Sequence, residues 1–192
     1  GGASNLTYLL EYPQQEFVLR RPPFGHKAKS AHDMGREYRI LNQLNAGFPY
    51  CPKAYVHCTD ESVIGSEFYV MERVNGIILR ADLPAELNFS PEQTTQLCKS
   101  FIDKLVELHN VDYQACGLGD LGKPEGYVAR QISGWSDRYE KALTPDAPLW
   151  TEVKAWLNEK MPADHPKPAI VHNDYRFDNV ILDPRDPQRI IG

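Results

Sequence analysis

The sequence predicts an α+β protein in two lobes, a small antiparallel β-rich one over residues 1–76 and a mostly helical one over 77–192. Three observations lead there. Short apolar runs bounded by turn residues gather before position 76, around one helical pattern. Longer helical patterns follow from Ser90 onward. Between them, an apolar strand gives way to an extended segment and a glycine, Gly76, which reads as a hinge.

The elements follow in chain order. Gly1-Gly2-Ala3-Ser4-Asn5 reads as a tight glycine turn. Such a turn lets backbone N–H groups approach phosphate oxygens, with Ser4 and Asn5 as further donors; a plain turn accounts for the same residues. Leu6 to Tyr12 is strand-like, Pro13-Gln14-Gln15 turns the chain, and Phe17-Val18-Leu19-Arg20 is a second strand, completing a hairpin. Alternation puts Val18 and Arg20 on one face. Ser30 with Asp33 marks a helix start, and Met34 to Leu44 carries the helical pattern. Glu37, Ile40, Leu41 and Leu44 fall at i, i+3, i+4 and i+7, so Glu37 rides the apolar stripe. A carboxylate there is costly unless a cation meets it, and Arg20 on the hairpin is the candidate. Phe68 to Met71 is another strand, and the backbone around Glu72 to Val74 has groups that could pair with an adenine edge.

The second lobe opens with Ser90-Pro91-Glu92-Gln93, a cap, a first-turn proline and a closed capping box. Leu97, Phe101, Leu105 and Leu108 line one face of that helix as far as His109. Tyr127, Gln131, Trp135 and Tyr139 recur at helical spacing, as do Trp150, Val153, Trp156 and Leu157; such aromatic stripes are expected in a core, and some of their members could instead line a pocket for an acceptor.

Near the C-terminal end, Ala169 to Val171 and Val180 to Leu182 read as strands flanking a polar loop, with Asp183 to Pro187 turning the next hairpin. Within the loop His172, Asp174 and Asn179 stand in the order H-x-D-x-x-x-x-N. That is the spacing of a kinase catalytic loop, in which the Asp receives the acceptor hydroxyl's proton and the Asn holds magnesium. The chemistry needs those types. A carboxylate can orient and deprotonate a hydroxyl, and a neutral amide oxygen ligates a hard cation without adding negative charge beside phosphate. Asp and Asn are also ordinary turn formers.

Bulk properties remove other classes. A net charge of -5 argues against a nucleic-acid surface. No apolar run approaches the ~20 residues of a membrane span. Cys51, Cys58, Cys98 and Cys116 form no C-x-x-C pair, so they read as thiols of a reducing compartment, and the cytoplasm is the expected location. No G-x-x-x-x-G-K-[ST] occurs, which excludes a P-loop enzyme. The chain opens without methionine and stops at Ile190-Ile191-Gly192 inside an expected strand, and it reads as C-terminally incomplete.

With glycine turn, Arg20, Glu37, hinge and catalytic loop in that order, the chain resembles the aminoglycoside phosphotransferase-like kinases, which include choline kinase-type enzymes. Phe17-Val18-Leu19-Arg20-Arg21-Pro22-Pro23, Arg36-Glu37-Tyr38-Arg39-Ile40-Leu41 and His172 to Asn179 look like the branch found beside acyl-CoA dehydrogenase domains. The resemblance implies a protein-kinase-like fold, ATP and Mg2+, and phosphoryl transfer to a small-molecule hydroxyl, with a hydroxyacyl-CoA as the acceptor for this branch. It casts Asp174 as catalytic base, Asn179 as magnesium ligand and His172 as the residue that buttresses the loop. Arg20 stands as the phosphate-contacting cation, Glu37 as its partner, and Glu72 and Val74 at the adenine edge. Arg176, from its offset, would stabilise charge on the transferred group. A second copy or an acyl-CoA dehydrogenase is the implied protein partner.

Two departures keep an alternative open, a non-catalytic nucleotide-binding or docking module. Protein kinases carry lysine where Arg20 stands, and arginine's planar fork is not its equivalent. The second magnesium-binding acid is expected on a strand after Gly192.

Overall fold

The structure, a computed structural model, describes residues 5–24, 33–80 and 83–192. Ser4 with the preceding glycines, and Ser30, lie outside the described residues. By compactness the chain divides into two units, Gly1–Gly119 with Ala169–Gly192, and Asp120–Pro168. Position 76, the expected lobe boundary, falls inside the first of them.

In the first unit a four-stranded antiparallel sheet has the order β1-β2-β4-β3, built from β1 (Leu6–Tyr12), β2 (Gln15–Arg21), β3 (Ala54–Cys58) and β4 (Phe68–Glu72). Helix α1 (Met34–Leu44) packs on β3 and β4. It starts where Asp33 accepts the Arg36 N–H at 2.8 Å, satisfying one of the helix's orphan amides. Met34 and Leu44 are its buried ends.

Strand β3 has no counterpart in the sequence reading. The ladder slips between Ala54 and Val56, so Tyr55 and Val56 are both exposed in succession. A bulge of this kind erases the period-two alternation that marks a strand. The remaining signal was the β-prone Tyr55-Val56 after Pro52.

Helix α2 (Pro91–His109) begins with the expected capping box. Ser90 Oγ accepts the Gln93 N–H at 3.3 Å, and Gln93 Oε1 accepts the Ser90 N–H at 2.9 Å. Its inner face supplies Leu97 to a core with Leu79, Val180, Leu182 and Ile190, against which Phe101, Tyr175 and Phe177 pack.

The strands expected beside the loop need correcting. Ala169 to Val171 forms no strand, and Val171 is exposed. Of Val180 to Leu182, only Leu182 forms bridges, to Ile77 on one side and Ile190 on the other. A strand forms only where its peptide groups find ladder partners; here the pairing is limited to the contact with Ile77 and to the hairpin turned at Asp183 to Pro187, where Ile181 N–H donates to Gly192 O at 2.7 Å.

The second unit holds α3 (Tyr127–Lys141) and α4 (Thr151–Glu159), which pack on each other. The aromatic stripes are not core. Trp135, Trp150 and Trp156 are 62%, 55% and 58% exposed, lying with Tyr139, Val153 and Leu157 on or beside the groove between the helices. Neither helix has a buried residue, because two short helices in so small a unit cover each other only in part. Among the described residues no helix is long and apolar enough to cross a membrane.

Candidate active site

The loop from His172 to Asn179 is held from below by aromatic packing. Tyr175 and Phe177 stack on Phe101 of α2 with ring centroids at 4.1 and 4.2 Å. The Tyr175 hydroxyl donates to the Phe101 carbonyl at 2.6 Å. Each such aromatic pair contributes about 0.5–1.5 kcal/mol beyond the area it buries. Burial pushes the Tyr175 phenol up to about 12, so it stays a neutral donor at working pH.

Above this base the backbone turns sharply at Asn173, whose φ of 63° lies in the left-handed region. Asparagine tolerates that conformation better than most side chains. The turn brings the Asp174 N–H to 3.3 Å from His172 Nδ1, which accepts it. The His172 ring also meets Tyr175 edge-on at 5.5 Å. His172 thus makes two contacts within the loop.

Asp174 and Asn179 face one another. The Asn179 side-chain nitrogen donates to Asp174 O at 2.9 Å and to Asp174 Oδ2 at 2.7 Å. Both partners are acceptors, so the NH₂ end must face Asp174 and the amide oxygen is turned the other way. The 3-10 turn Phe177–Asn179 positions that amide, its last N–H donating to Arg176 O at 3.0 Å.

Arg176 does not point solely at Asp174. Its Nε donates to Asp178 Oδ1 at 2.8 Å, and a terminal nitrogen bonds Asp178 Oδ2. The same Nε lies 3.9 Å from Asp174 Oδ1. Asp178 raises the Arg176 pKa, while the Arg176 hydrogen bond holds the Asp178 carboxyl below its ordinary range. Asp178 is a site residue the sequence reading missed; its signal was the Arg-x-Asp spacing on a tight turn.

The second cluster of this unit centres on Glu37 in the first turn of α1. Arg20, paired in register with Thr7 and Tyr69, brings its Nε to 3.6 Å from Glu37 Oε2. Tyr69, 1% exposed, donates its hydroxyl to the same oxygen at 2.9 Å. Asn5 Nδ2 donates to Glu37 Oε1 at 2.7 Å. Burial drives the Tyr69 phenol well above its ordinary pKa. Asn5 is thus brought to Glu37, and Tyr69 was read in the sequence only as a strand residue.

At the expected hinge, β4 ends at Glu72. The Glu72 N–H is taken by Lys53 O at 2.8 Å, and its carboxylate accepts the Lys53 N–H at 3.1 Å. That N–H is therefore not among the hinge groups open to a ligand edge. Half-buried Val74 follows. Ile77 and Leu182 then exchange hydrogen bonds at 2.9 and 2.8 Å, tying the hinge's end to the strand-like stretch after the loop. Gly76 permits this approach, because a Cβ there would strike Leu182 O and the Ile181 side chain.

The residues suit a shared magnesium. Mg2+ keeps several waters and takes one or two protein oxygens together with substrate phosphates. The outward amide oxygen of Asn179 is a neutral hard donor of that kind. Among the described residues no cluster of three or more His, Cys, Asp or Glu could hold a metal, so the donor set does not resemble an all-protein cage.

Comparison with known proteins adds the following. The model of the phosphotransferase enzyme family (APH) matches residues 1–192. Acyl-CoA dehydrogenase family member 11 of Gallus gallus is 39% identical over 187 residues, covering 96% of this chain and 23% of that protein. The chain thus spans about a quarter of the length of that relative. A crystal structure from Ralstonia eutropha, named for aminoglycoside phosphotransferase, is 37% identical with a TM-score of 0.84, covering 100% of this chain and 55% of that one. An aminoglycoside-3'-phosphotransferase of type VIII, 21% identical with a TM-score of 0.59 over 100% of this chain and 66% of its own, shares the α+β fold.

Proposed function

We propose a reaction from one premise: the chain belongs to the phosphotransferase enzyme family. The reaction is transfer of the γ-phosphoryl group of ATP to a hydroxyl of a small molecule. The observation that carries it is the Asp174–Asn179 pair, a carboxylate and an amide oriented by each other on one braced loop.

In this reading an Asp174 carboxylate oxygen accepts the proton of the acceptor hydroxyl as that oxygen bonds the γ-phosphorus. The bond from the γ-phosphorus to the bridging oxygen breaks, and ADP leaves with that electron pair. Asn179 would hold Mg2+ through its amide oxygen, and the ion, when bound, neutralises charge on the phosphates. Arg20 contacts the phosphates with Glu37 as its partner, and Ser4 and Asn5 would serve as further donors to them. The backbone from Glu72 to Val74 borders the adenine, with the Val74 N–H as its donor. Arg176, steadied by Asp178, sits 3.9 Å from Asp174 and would face the transferred group. His172 braces the loop.

The acceptor we favour is a hydroxyacyl-CoA, supported by the relatives named as acyl-CoA dehydrogenase family members. The same names support an acyl-CoA dehydrogenase as the partner, and a homodimer is the other assembly to test. We keep the lobe boundary at Gly76 and a cytoplasmic location as parts of the proposal.

The test is release of ADP from Mg-ATP with and without a hydroxyacyl-CoA. Acceptor-dependent ADP, lost in Asp174→Asn, supports the reading. Binding of ATP with no acceptor turned over favours the non-catalytic nucleotide-binding module, which the exposed, self-paired Arg176–Asp178 couple would suit.

A further inference from the structure

The Glu37 carboxylate is tied to more than its cation. Its two oxygens take hydrogen bonds from different parts of the chain: Oε1 from Asn5, just before β1, and Oε2 from Tyr69 on β4. Arg20 comes only to 3.6 Å, and its Nε is buried without a hydrogen-bond partner among the described residues. In a closed ion pair, Arg20 itself would anchor the carboxylate through short, often bidentate bonds. Here the anchoring is done by two neutral donors, and Arg20 is held by charge attraction across a slightly longer gap.

We propose that Tyr69 and Asn5 are positioning residues: by gripping Glu37 from opposite sides they set where the Arg20 guanidinium points its terminal nitrogens. The inference rests on the phosphotransferase reading, in which those nitrogens meet the nucleotide's phosphates. A half-buried guanidinium with an unsatisfied Nε follows the nearest negative charge. The place of that charge depends on the two donors. Tyr69 is suited to the task, since its hydroxyl already lies 2.9 Å from Glu37 Oε2 and burial raises its pKa, favouring the protonated donor. A bland account exists: a buried hydroxyl needs an acceptor, and Glu37 supplies one. The two accounts differ in what Arg20 feels.

The experiment is calorimetric titration of the whole chain with Mg-ATP and separately with adenosine. The proteins are wild type, Tyr69→Phe, Asn5→Ala, Arg20→Ala and the double variant Arg20→Ala/Tyr69→Phe. Tyr69→Phe should weaken ATP binding roughly three- to tenfold, the size of one ordinary hydrogen bond, because the lost bond acts on ATP only through Arg20. Adenosine, which has no phosphate, should bind all variants alike. In the Arg20→Ala background the added Tyr69→Phe change should cost nothing further, because the two act through one contact. If Tyr69→Phe does not fold, Asn5→Ala at its half-buried position, compared with Arg20→Ala/Asn5→Ala, gives an independent reading: a loss that persists in the Arg20→Ala background would mark a direct phosphate contact and overturn the positioning role.

Equal losses for ATP and adenosine, an undiminished loss in the Arg20→Ala background, or unchanged ATP affinity in the single variants would each overturn the positioning role while leaving the phosphotransferase reading intact. Failure of the wild-type chain to bind Mg-ATP would overturn that reading, and this inference with it.

Discussion

Asn179 reaches across its loop to bond both the main-chain oxygen and the carboxylate of Asp174, at 2.9 and 2.7 Å. Two acceptors on one amide nitrogen decide which end of the side chain faces outward. If Asp174 takes the acceptor's proton, Asp174→Asn should lower the phosphoryl-transfer rate by ~10²–10⁴-fold, with circular dichroism unchanged. Asn179→Leu should also raise the Mg2+ concentration needed for half-maximal rate. A variant of Asp174 with full activity removes it from the reaction.

Asn173 holds a left-handed turn between His172 and Asp174. Asn173→Gly should leave thermal stability within a few tenths of a kcal/mol, because glycine adopts φ > 0 without steric cost. Asn173→Val should cost about 1–2 kcal/mol, the penalty of a branched side chain in that region. Thermal melts of both variants, read together, check the turn.

Gly76 gives the hinge its close approach to Leu182. The added methyl of Gly76→Ala would meet a backbone carbonyl, which cannot rotate away as a side chain can. A loss of about 1–3 kcal/mol is expected, measured as a lower denaturant midpoint at unchanged slope.

Tyr175 links stability to alkaline pH. Its phenol, ordinarily near 10, is pushed up to about 12 in the fold, chiefly by burial. The folded state therefore keeps its proton after the unfolded chain has released one. The stabilisation is complete below pH 10 and is lost as pH rises toward 12, since the unfolded state binds fewer protons across that interval. Tyr69, shifted in the same direction, adds to the fall. Tyr175→Phe should shrink the slope of stability against pH in this window, and a slope unchanged by that substitution would exclude Tyr175 as its source.

Much of this protein is written locally. The capping box at Ser90 and Gln93, the hairpin from Leu6 to Arg21 and the stripe carrying Glu37 depend on neighbours a few residues apart, so the sequence alone determined them. The order of His172, Asp174 and Asn179 belongs with these, since one loop holds all three. What the chain could not state locally was decided by contacts between distant segments. Tyr69 meets Glu37 across 32 positions, and Tyr175 finds the Phe101 carbonyl across 74. Strand β3 hid behind a register slip that exists only once β4 lies beside it. The runs flanking the loop carried strand-like residues, yet strands form only where a partner's peptide groups arrive, and tertiary structure brought them only to Ile181 and Leu182. Side-chain type and spacing propose a chemistry; the partners that orient each group come from packing over long sequence separations, which no short pattern encodes.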